Sequence, residues 1–228
     1  MNKTILSFIL IFISTSLIYG QDNCKSFLPD EGTTLVYNNY DKKGKLTSTT
    51  TTEVVSVREE ENGTHYKVNQ LISDGKKKND LEMVLRYRCE DNKFIIDMQS
   101  ILIAEQMQSI EGGTVVVESE EMYIPSDLKP GMELKDGSIK MDASMGYMTM
   151  PITARAFYRK VEGKEQVTTP AGTFEAWKIN GNMESKVAFM RVAMKTVQWY
   201  VEDIGVVKSE SYDNKGKLMG STELQSIN

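Results

Sequence analysis

One alternating stretch, at residues 81–90, decides the fold class of this chain and reads LEMVLRYRCE. Its apolar side chains occupy every second position: Leu81, Met83, Leu85, Tyr87 and Cys89. A period of two residues is typical of a β-strand with one buried face. Residues 90–93 read EDNK and favour a turn into a second strand at residues 94–98. The stretch therefore predicts a hairpin within a β-rich fold.

Turn signals recur along the rest of the chain. Asn62-Gly63 predicts a two-residue type I′ turn between strands at 54–58 and 64–72, because both residues tolerate a positive φ. The sequence TPAGT at residues 169–173 predicts another reversal, with proline at the second turn position. These signals indicate short connections between strands.

Two runs, at residues 187–194 and 196–201, are apolar on both sides, which is typical of central strands. One helix is predicted, over residues 103–110, where apolar residues share a stripe and two glycines follow. No linker interrupts the pattern, so the sequence predicts a single β-rich domain over residues 21–228.

A short motif occurs twice, as YDKKGKL at residues 40–46 and as YDNKGKL at residues 212–218. Each copy predicts the same hairpin loop, with aspartate bonded to the local backbone and glycine at the bulge position. A duplicated binding loop is the alternative interpretation. We favour similar hairpins at the two ends of one domain.

The N-terminus has the features of a secretory signal peptide at residues 1–20. Lys3 provides the positive charge, an apolar run follows, and the small Gly20 precedes the expected cleavage site. The apolar run is too short for a membrane-spanning helix. The polar residues before Cys24 argue against a lipid anchor there. We therefore expect an exported protein, periplasmic or extracellular, that is soluble after cleavage and has no membrane span.

The charge balance disfavours nucleic acid as a partner. The chain has 27 Lys and Arg against 32 Asp and Glu, a net charge of −5, whereas nucleic-acid binding rests on neutralising phosphates. Cys24 and Cys89 are the two cysteines, and in an oxidising compartment they predict one structural disulfide. A metal or redox pair is the alternative, which their wide separation disfavours.

Catalytic motifs are sparse. His65 is the one histidine of the chain, and no G-x-S-x-G motif accompanies it, so a histidine-based hydrolase is disfavoured. Carboxylates cluster at Glu118, Glu120 and Glu121, and a pair of acids is all that a glycosidase requires. Such pairs are common in an acidic chain, and we expect no enzymatic activity and no cofactor.

Methionine is unusually frequent, with 14 residues, several of them between 141 and 150. Methionine side chains fill irregular cores, line adaptable apolar surfaces and, in clusters, bind Cu(I). Core packing, an apolar binding surface and copper binding all remain open. If there is an apolar binding surface, the candidate ligand-binding residues are Met148, Met150, Met190, Met194 and Trp199.

Two motifs carry a family resemblance: VTTPAGTFEAWKI at residues 167–179 and QWYVEDIGVVKSE at residues 198–210. They resemble the TapB-like secreted proteins of Bacteroidetes, which are related to the domain of unknown function 3108. The resemblance implies a mainly β fold with a large curved antiparallel sheet, a half-barrel or open barrel, and one or two short helices. That outline is similar to periplasmic lipoprotein carriers, whose half-barrel holds acyl chains against an apolar concave face.

The resemblance implies no catalytic residues. Together, these observations predict an exported, non-enzymatic envelope protein that binds a lipid, another apolar ligand or an envelope component. A hydrolase with paired carboxylates and a methionine-based Cu(I) site are the alternatives.

Overall fold

The computed structural model of the protein describes residues 27–75, 80–97, 100, 113–145, 148–187 and 189–228. These residues form fourteen β-strands: β1 Thr34–Asp41, β2 Leu46–Glu60, β3 Gly63–Ser73, β4 Leu81–Glu90, β5 Lys93–Ile96, β6 Gly113–Glu120, β7 Met122–Pro125, β8 Glu133–Leu134, β9 Gly137–Met145, β10 Met148–Thr169, β11 Gly172–Val187, β12 Met190–Val201, β13 Gly205–Tyr212 and β14 Leu218–Ile227.

All fourteen strands belong to one antiparallel sheet. Along the sheet the order is β6-β9-β10-β11-β12-β13-β14-β1-β2-β3-β4-β5-β7, and β8 pairs with β10 beside this path. Only Glu121 separates β6 from β7 in the chain, so the two ends of the sheet lie next to each other. The sheet is therefore curved into a nearly closed barrel, and the predicted fold class is confirmed.

The alternating stretch at residues 81–90 forms β4 with the predicted bounds. Leu85 and Cys89 are buried, whereas Glu82 and Arg86 on the other face are exposed. Alternation works here because β4 lies between β3 and β5 and has its apolar face toward the core. Alternation predicts the bounds of this strand correctly because no bulge interrupts the pairing of β4 with β3.

The predicted type I′ turn at Asn62-Gly63 is wrong in its details. The two loop residues are Glu61 and Asn62, and Gly63 is the first residue of β3, with φ 126°. A β-carbon at Gly63 would lie 2.1 Å from the carbonyl oxygen of Cys89, so glycine allows a close approach of β4. Type I′ geometry occurs instead between β4 and β5, where Asp91 and Asn92 have φ values of 50° and 59°.

The predicted single strand at residues 187–194 is also wrong. The chain reverses at Phe189, so residue 187 ends β11 and residue 190 begins β12. Phe189 is 95% exposed at the tip of this hairpin. The sequence there contains no glycine, proline or asparagine, which explains why no turn was predicted.

The duplicated motif forms the same loop twice, as predicted. The Asp41 carboxylate accepts the backbone N–H groups of the residues two and four positions later, at 2.8 and 3.0 Å. Asp213 accepts the equivalent pair at 2.8 and 2.9 Å. Gly44 and Gly216 have φ values of 75° and 79°. Because β1 pairs with β14, the two loops lie at the same end of the sheet.

Buried apolar clusters lie on both faces of the curved sheet. The largest cluster joins residues from distant strands: Phe27, Tyr66, Cys89, Phe94, Ile124, Leu128, Leu134, Val161, Ile179 and Tyr200. The Phe27 ring contacts those of Phe94 and Tyr200 edge-on, with centroids 5.8 and 5.7 Å away. We call the face of the sheet that carries these residues the core face.

Several predictions concern parts of the chain outside the described residues. These are the signal peptide at residues 1–20, Cys24, and the helix over residues 103–110. Cys89 is almost fully buried. Its pairing with Cys24 stays a prediction.

Candidate functional site: an apolar sheet face with a buried arginine

Five strands extend the core face away from the packed cluster around Phe27. Strands β6, β9, the first half of β10, the second half of β11 and the first half of β12 pair without a bulge in this region. Directly paired residues of an antiparallel sheet point to the same face. The register therefore shows which side chains form a common surface.

The residues that share the core face in this region are almost all apolar. They form three rows across the strands: Val117, Met141, Ile152, Val187 and Met190; Ser119, Ile139, Ala154, Ser185 and Val192; and Gly137, Ala156, Met183 and Met194. We call this surface the methionine face. The methionine face is continuous with the core. Ile179 of the core and Met183 are four residues apart on β11 with no bulge between them, so their side chains point to the same face.

Burial on the methionine face falls from one side to the other. Met141 and Ile139 of β9 are buried, with 2% and 4% exposure. At the β11–β12 hairpin, Met183 is 43%, Val192 47% and Met190 66% exposed. Large apolar side chains that form a contiguous exposed surface mark a binding site more often than isolated ones do.

The opposite face of the same five strands is polar, and we call it the charged face. Here Lys140 forms ion pairs with Asp142 at 3.1 Å and with Glu118 at 3.8 Å. Arg191 of β12 pairs with Glu184 of β11 at 2.5 Å. This ion pair lowers the pKa of Glu184. The region is thus amphipathic, with one apolar and one charged surface.

The predicted ligand-binding residues do not all lie together. Met190 and Met194 belong to the methionine face. Trp199 lies on the other side of β12, because odd and even positions alternate, and it is 7% exposed. Met148 and Met150 begin β10 and pair with Met145 and Ala143, and the structure does not describe their side chains.

Trp199 instead packs in a second buried apolar cluster, with Val167, Ala176 and Val207 among others, and also has polar partners. Its indole N–H donates to Glu165 at 2.7 Å, and the amines of Lys178 and Lys208 each lie 5.6 Å from its ring centroid. The indole hydrogen bond, helped by Lys178, lowers the pKa of Glu165. These contacts favour a structural role for Trp199 between β10, β11, β12 and β13.

The sequence did not single out Arg159, which is a buried cation at the end of the methionine face. A bulge in β10 places it there, between Phe157 and Lys160 in the pairing with β11. Arg159 pairs with Leu134 of the core, and a β-carbon at Gly181 would lie 3.2 Å from its Cγ. No sequence signal reports this bulge, since Tyr158, with φ 53°, is not a typical left-handed residue.

The guanidinium of Arg159 is only partly paired. Nη1 donates to the carbonyl oxygens of Tyr123 and Lys135, at 3.3 and 3.1 Å. Nη2 is buried and has no hydrogen-bond partner. The buried Tyr200 hydroxyl lies beside the guanidinium, and burial raises the pKa of this hydroxyl.

A small cavity of about 250 Å³ lies elsewhere, at residues Tyr158, Asn182, Lys195 and Tyr212 among others. It is smaller than most ligand pockets, which measure roughly 300–1,000 Å³. Three of these residues are on the charged face. This cavity is therefore separate from the methionine face and too small for a long hydrocarbon chain.

The catalytic candidates from the sequence have local partners. His65 Nε2 lies 3.0 Å from Asn62 Oδ1 within its own hairpin. Glu121 binds Arg88 at 2.5 Å, and Glu120 accepts the hydroxyl of Ser138 at 3.2 Å. Within the described residues, no group of three or more His, Cys, Asp or Glu side chains is placed to hold a metal ion. None of the helices in that part of the chain is long and apolar enough to cross a membrane.

Two solved structures are similar to this chain. A Bacteroides fragilis protein, classed as exported and described as having a YmcC-like fold, is 26% identical, with a TM-score of 0.71. A Parabacteroides distasonis protein classed as a lipoprotein is 21% identical, with a TM-score of 0.71, and this likeness shows the fold alone. Each alignment covers 90% of this chain and 100% of the other.

Family comparison agrees with the motifs at residues 167–179 and 198–210. No curated protein matches the chain significantly. The DUF3108-like family matches residues 30–224, which is most of the described sheet. The resemblance on which the fold was predicted is thus confirmed, and the chain belongs to the DUF3108-like family.

Proposed function

We propose that this protein is an exported binding protein that holds the hydrocarbon chain of an apolar ligand on the methionine face. The observation that carries the proposal is the exposure gradient across that face. Met183, Met190 and Val192 remain 43–66% exposed although they continue a surface that is buried at β9. Covering these side chains stabilises a complex by about 25 cal/mol for each Å² removed from water.

The composition of the methionine face suits a flexible hydrocarbon chain. Methionine is unbranched and polarizable, so it adapts to ligands of different shape. Ala154 lies between Ile139 and Ser185, and Ala156 lies between Gly137 and Met183, so small side chains leave shallow space along the middle of the surface. Acyl chains fit such a surface better than a rigid polar substrate does.

The charged face supports the same assignment. Its ion pairs, one on β9 and one between β11 and β12, keep this side of the strands compatible with water, so the exposed apolar side chains are confined to the other side. A sheet that needed only solubility would have little reason to expose methionine and valine on one face. Export is supported by the predicted signal peptide and by the exported classification of the Bacteroides fragilis protein. The role proposed is binding, with no catalytic step.

The proposal can be tested with a neutral apolar probe. Binding of N-phenylnaphthylamine to the chain without residues 1–20 is followed by fluorescence, and dodecanol is added as a competitor. We expect dodecanol to displace the probe from the wild-type protein. Val192→Glu should weaken both affinities at least about tenfold, because the apolar chain would have to cover a charge.

Lys195→Glu is the matched control. It places the same side chain on the same strand, on the charged face opposite Asn182, and should leave both affinities unchanged. Equal losses in the two variants, or no binding by the wild-type protein, would refute an apolar site on the methionine face. Binding by the wild-type protein that is abolished only in Val192→Glu supports it.

A further inference from the structure

Arg159 is a buried cation whose charge is incompletely compensated. Its side chain is 4% exposed, and none of the ion pairs formed by the described residues includes it. Asp136 attracts the guanidinium, but the Asp136 carboxylate accepts the backbone N–H of Tyr158 at 3.0 Å. Removing an arginine from water without a carboxylate partner costs several kcal/mol.

Backbone carbonyls satisfy only one end of the guanidinium. Tyr123 and Lys135 accept from Nη1, and these two bonds join the edge of β7 to the residue after β8. Nη2 keeps a buried N–H group without a partner. An arginine presents two nitrogen atoms in a fork that matches the two oxygens of a carboxylate or phosphate. The unused donor is therefore the half of the fork that an anion would complete.

The surroundings of Nη2 also favour an anion. The Tyr200 hydroxyl lies beside the guanidinium, and the Tyr87 hydroxyl interacts electrostatically with Tyr200. Burial raises the pKa of both hydroxyls, so both remain neutral, and the Tyr200 hydroxyl donates to Gln198 Oε1 at 3.3 Å. A buried cation with a free N–H at Nη2 and only neutral hydroxyls beside it provides positive charge for a negative group.

Arg159 is also placed at the end of a suitable track for a hydrocarbon chain. It lies across from Gly181, and Met183 begins the methionine face two residues further along β11. From Gly181 to Val187, β11 covers about 20 Å, at roughly 3.3 Å per residue. This length is comparable to that of an extended long-chain acyl group. Ala156 provides the continuation on β10.

We propose that Arg159 binds the anionic head group of a single-chain amphiphile, with a carboxylate or a phosphate, whose hydrocarbon tail lies along the methionine face. The inference rests on the proposed function and adds the class of ligand. The head group binds at Nη2, next to Tyr200, and the tail leaves past Ala156 and Met183. A purely structural arginine, which only joins β7 to β8, would give no preference for a charged head group.

The test compares dodecanoate, dodecanol and acetate as ligands of the same protein. Dissociation constants are measured by calorimetry for the wild type, Arg159→Gln and Arg155→Gln. Arg155 lies on the charged face of β10, so its substitution removes the same charge from the same strand. We expect the wild-type protein to bind dodecanoate at least about tenfold more tightly than dodecanol, and acetate far more weakly than either.

In Arg159→Gln the preference for dodecanoate over dodecanol should disappear, whereas Arg155→Gln should keep it. Equal affinities of the wild-type protein for the acid and the alcohol would overturn the anchor and leave the apolar site standing, even if Arg159→Gln does not fold. A preference that survives in Arg159→Gln would also overturn it. Acetate binding as tight as that of dodecanoate would assign the site to free anions instead. Binding of neither amphiphile would overturn the apolar site and the anchor together.

Discussion

Gly63 is the first residue of β3, where its α-carbon lies against the carbonyl oxygen of Cys89. Alanine there would place a β-carbon 2.1 Å from that oxygen, at a φ of 126° that side chains rarely adopt. We expect Gly63→Ala to lower the free energy of unfolding by about 3 kcal/mol or more, because strand β4 must move. Urea unfolding followed by tryptophan fluorescence measures the change.

Gly44→Ala separates the steric contact from the backbone conformation. Gly44 also has a positive φ, 75°, but no atom lies within 4 Å of the β-carbon position. Its substitution should cost about 1 kcal/mol, the usual penalty for a left-handed residue. Equal losses in the two variants would show that the approach to Cys89 has no energetic importance.

The Glu165–Trp199 hydrogen bond predicts a pH-dependent contribution to stability. The bond lowers the pKa of Glu165 in the folded protein below its ordinary value of 4.5. A lowered pKa means that the carboxylate stabilises the fold above pH 4.5, and that this stabilisation is lost as the pH falls through the folded-state value. The effect is small, because the Glu165 side chain is 46% exposed.

Glu165→Gln should therefore be less stable than the wild type at pH 7, and the difference should be smaller at pH 3. Urea midpoints of the two proteins at the two pH values provide the comparison. A difference that stays constant between them would show that the carboxylate charge does not contribute.

At the scale of single elements, the β4–β5 hairpin has a turn that can be improved. Asp91 and Asn92 both have positive φ values, the geometry of a type I′ turn. Glycine is favoured at the second position of this turn, so Asn92→Gly should raise the free energy of unfolding by about 0.5 kcal/mol. Asn62→Gly, in a two-residue loop where φ is not positive, should lower it. The opposite signs, measured by thermal unfolding, distinguish the two turns.

How far the sequence predicts an element depends on whether alternation survives along it. It does in β4, where the predicted bounds agree with the structure. The sequence also correctly predicted the two aspartate–glycine loops, because each aspartate bonds backbone groups only two and four residues away. The sequence did not predict the β11–β12 hairpin, because the tip around Phe189 has no turn-forming residue. Pairing with β10 and β12 then decides where the strand ends.

The candidate site was predictable only in part, for the same reason. Met190 and Met194 were identified by composition, and their even numbers on β12 already separate them from Trp199 in an unbulged strand. Arg159 was not predictable, because a bulge after Phe157 brings it to the core face. A bulge is set by the pairing of distant strands, and sequence alternation alone assigns Arg159 to the wrong side.

At the scale of the whole molecule, the predicted disulfide would tie the start of the exported chain to the core. Cys89 is a buried member of the largest core cluster. Closing the long loop back to Cys24 stabilises a fold by about 4 kcal/mol in the chain-entropy model. Reduction should therefore lower the urea midpoint markedly, and Cys24→Ser should lower it by the same amount. A Cys24→Ser protein that still loses stability on reduction would exclude this pairing.

The nearly closed sheet combines two regions with different roles. The closed part has a packed core around Phe27 and Phe94 and gives the fold its stability. The extension formed by β6, β9, β10, β11 and β12 exposes apolar side chains on one face and ion pairs on the other. Arg159 lies where the two regions meet. This arrangement places a buried cation at the inner end of an apolar surface.

Native mass spectrometry of the protein purified from its own envelope tests the central claim most directly. The wild-type protein should retain an acyl-chain compound, and Val192→Glu should lose it while Lys195→Glu keeps it. A wild-type protein that carries no apolar ligand, or a ligand that Val192→Glu retains equally well, would contradict binding on the methionine face.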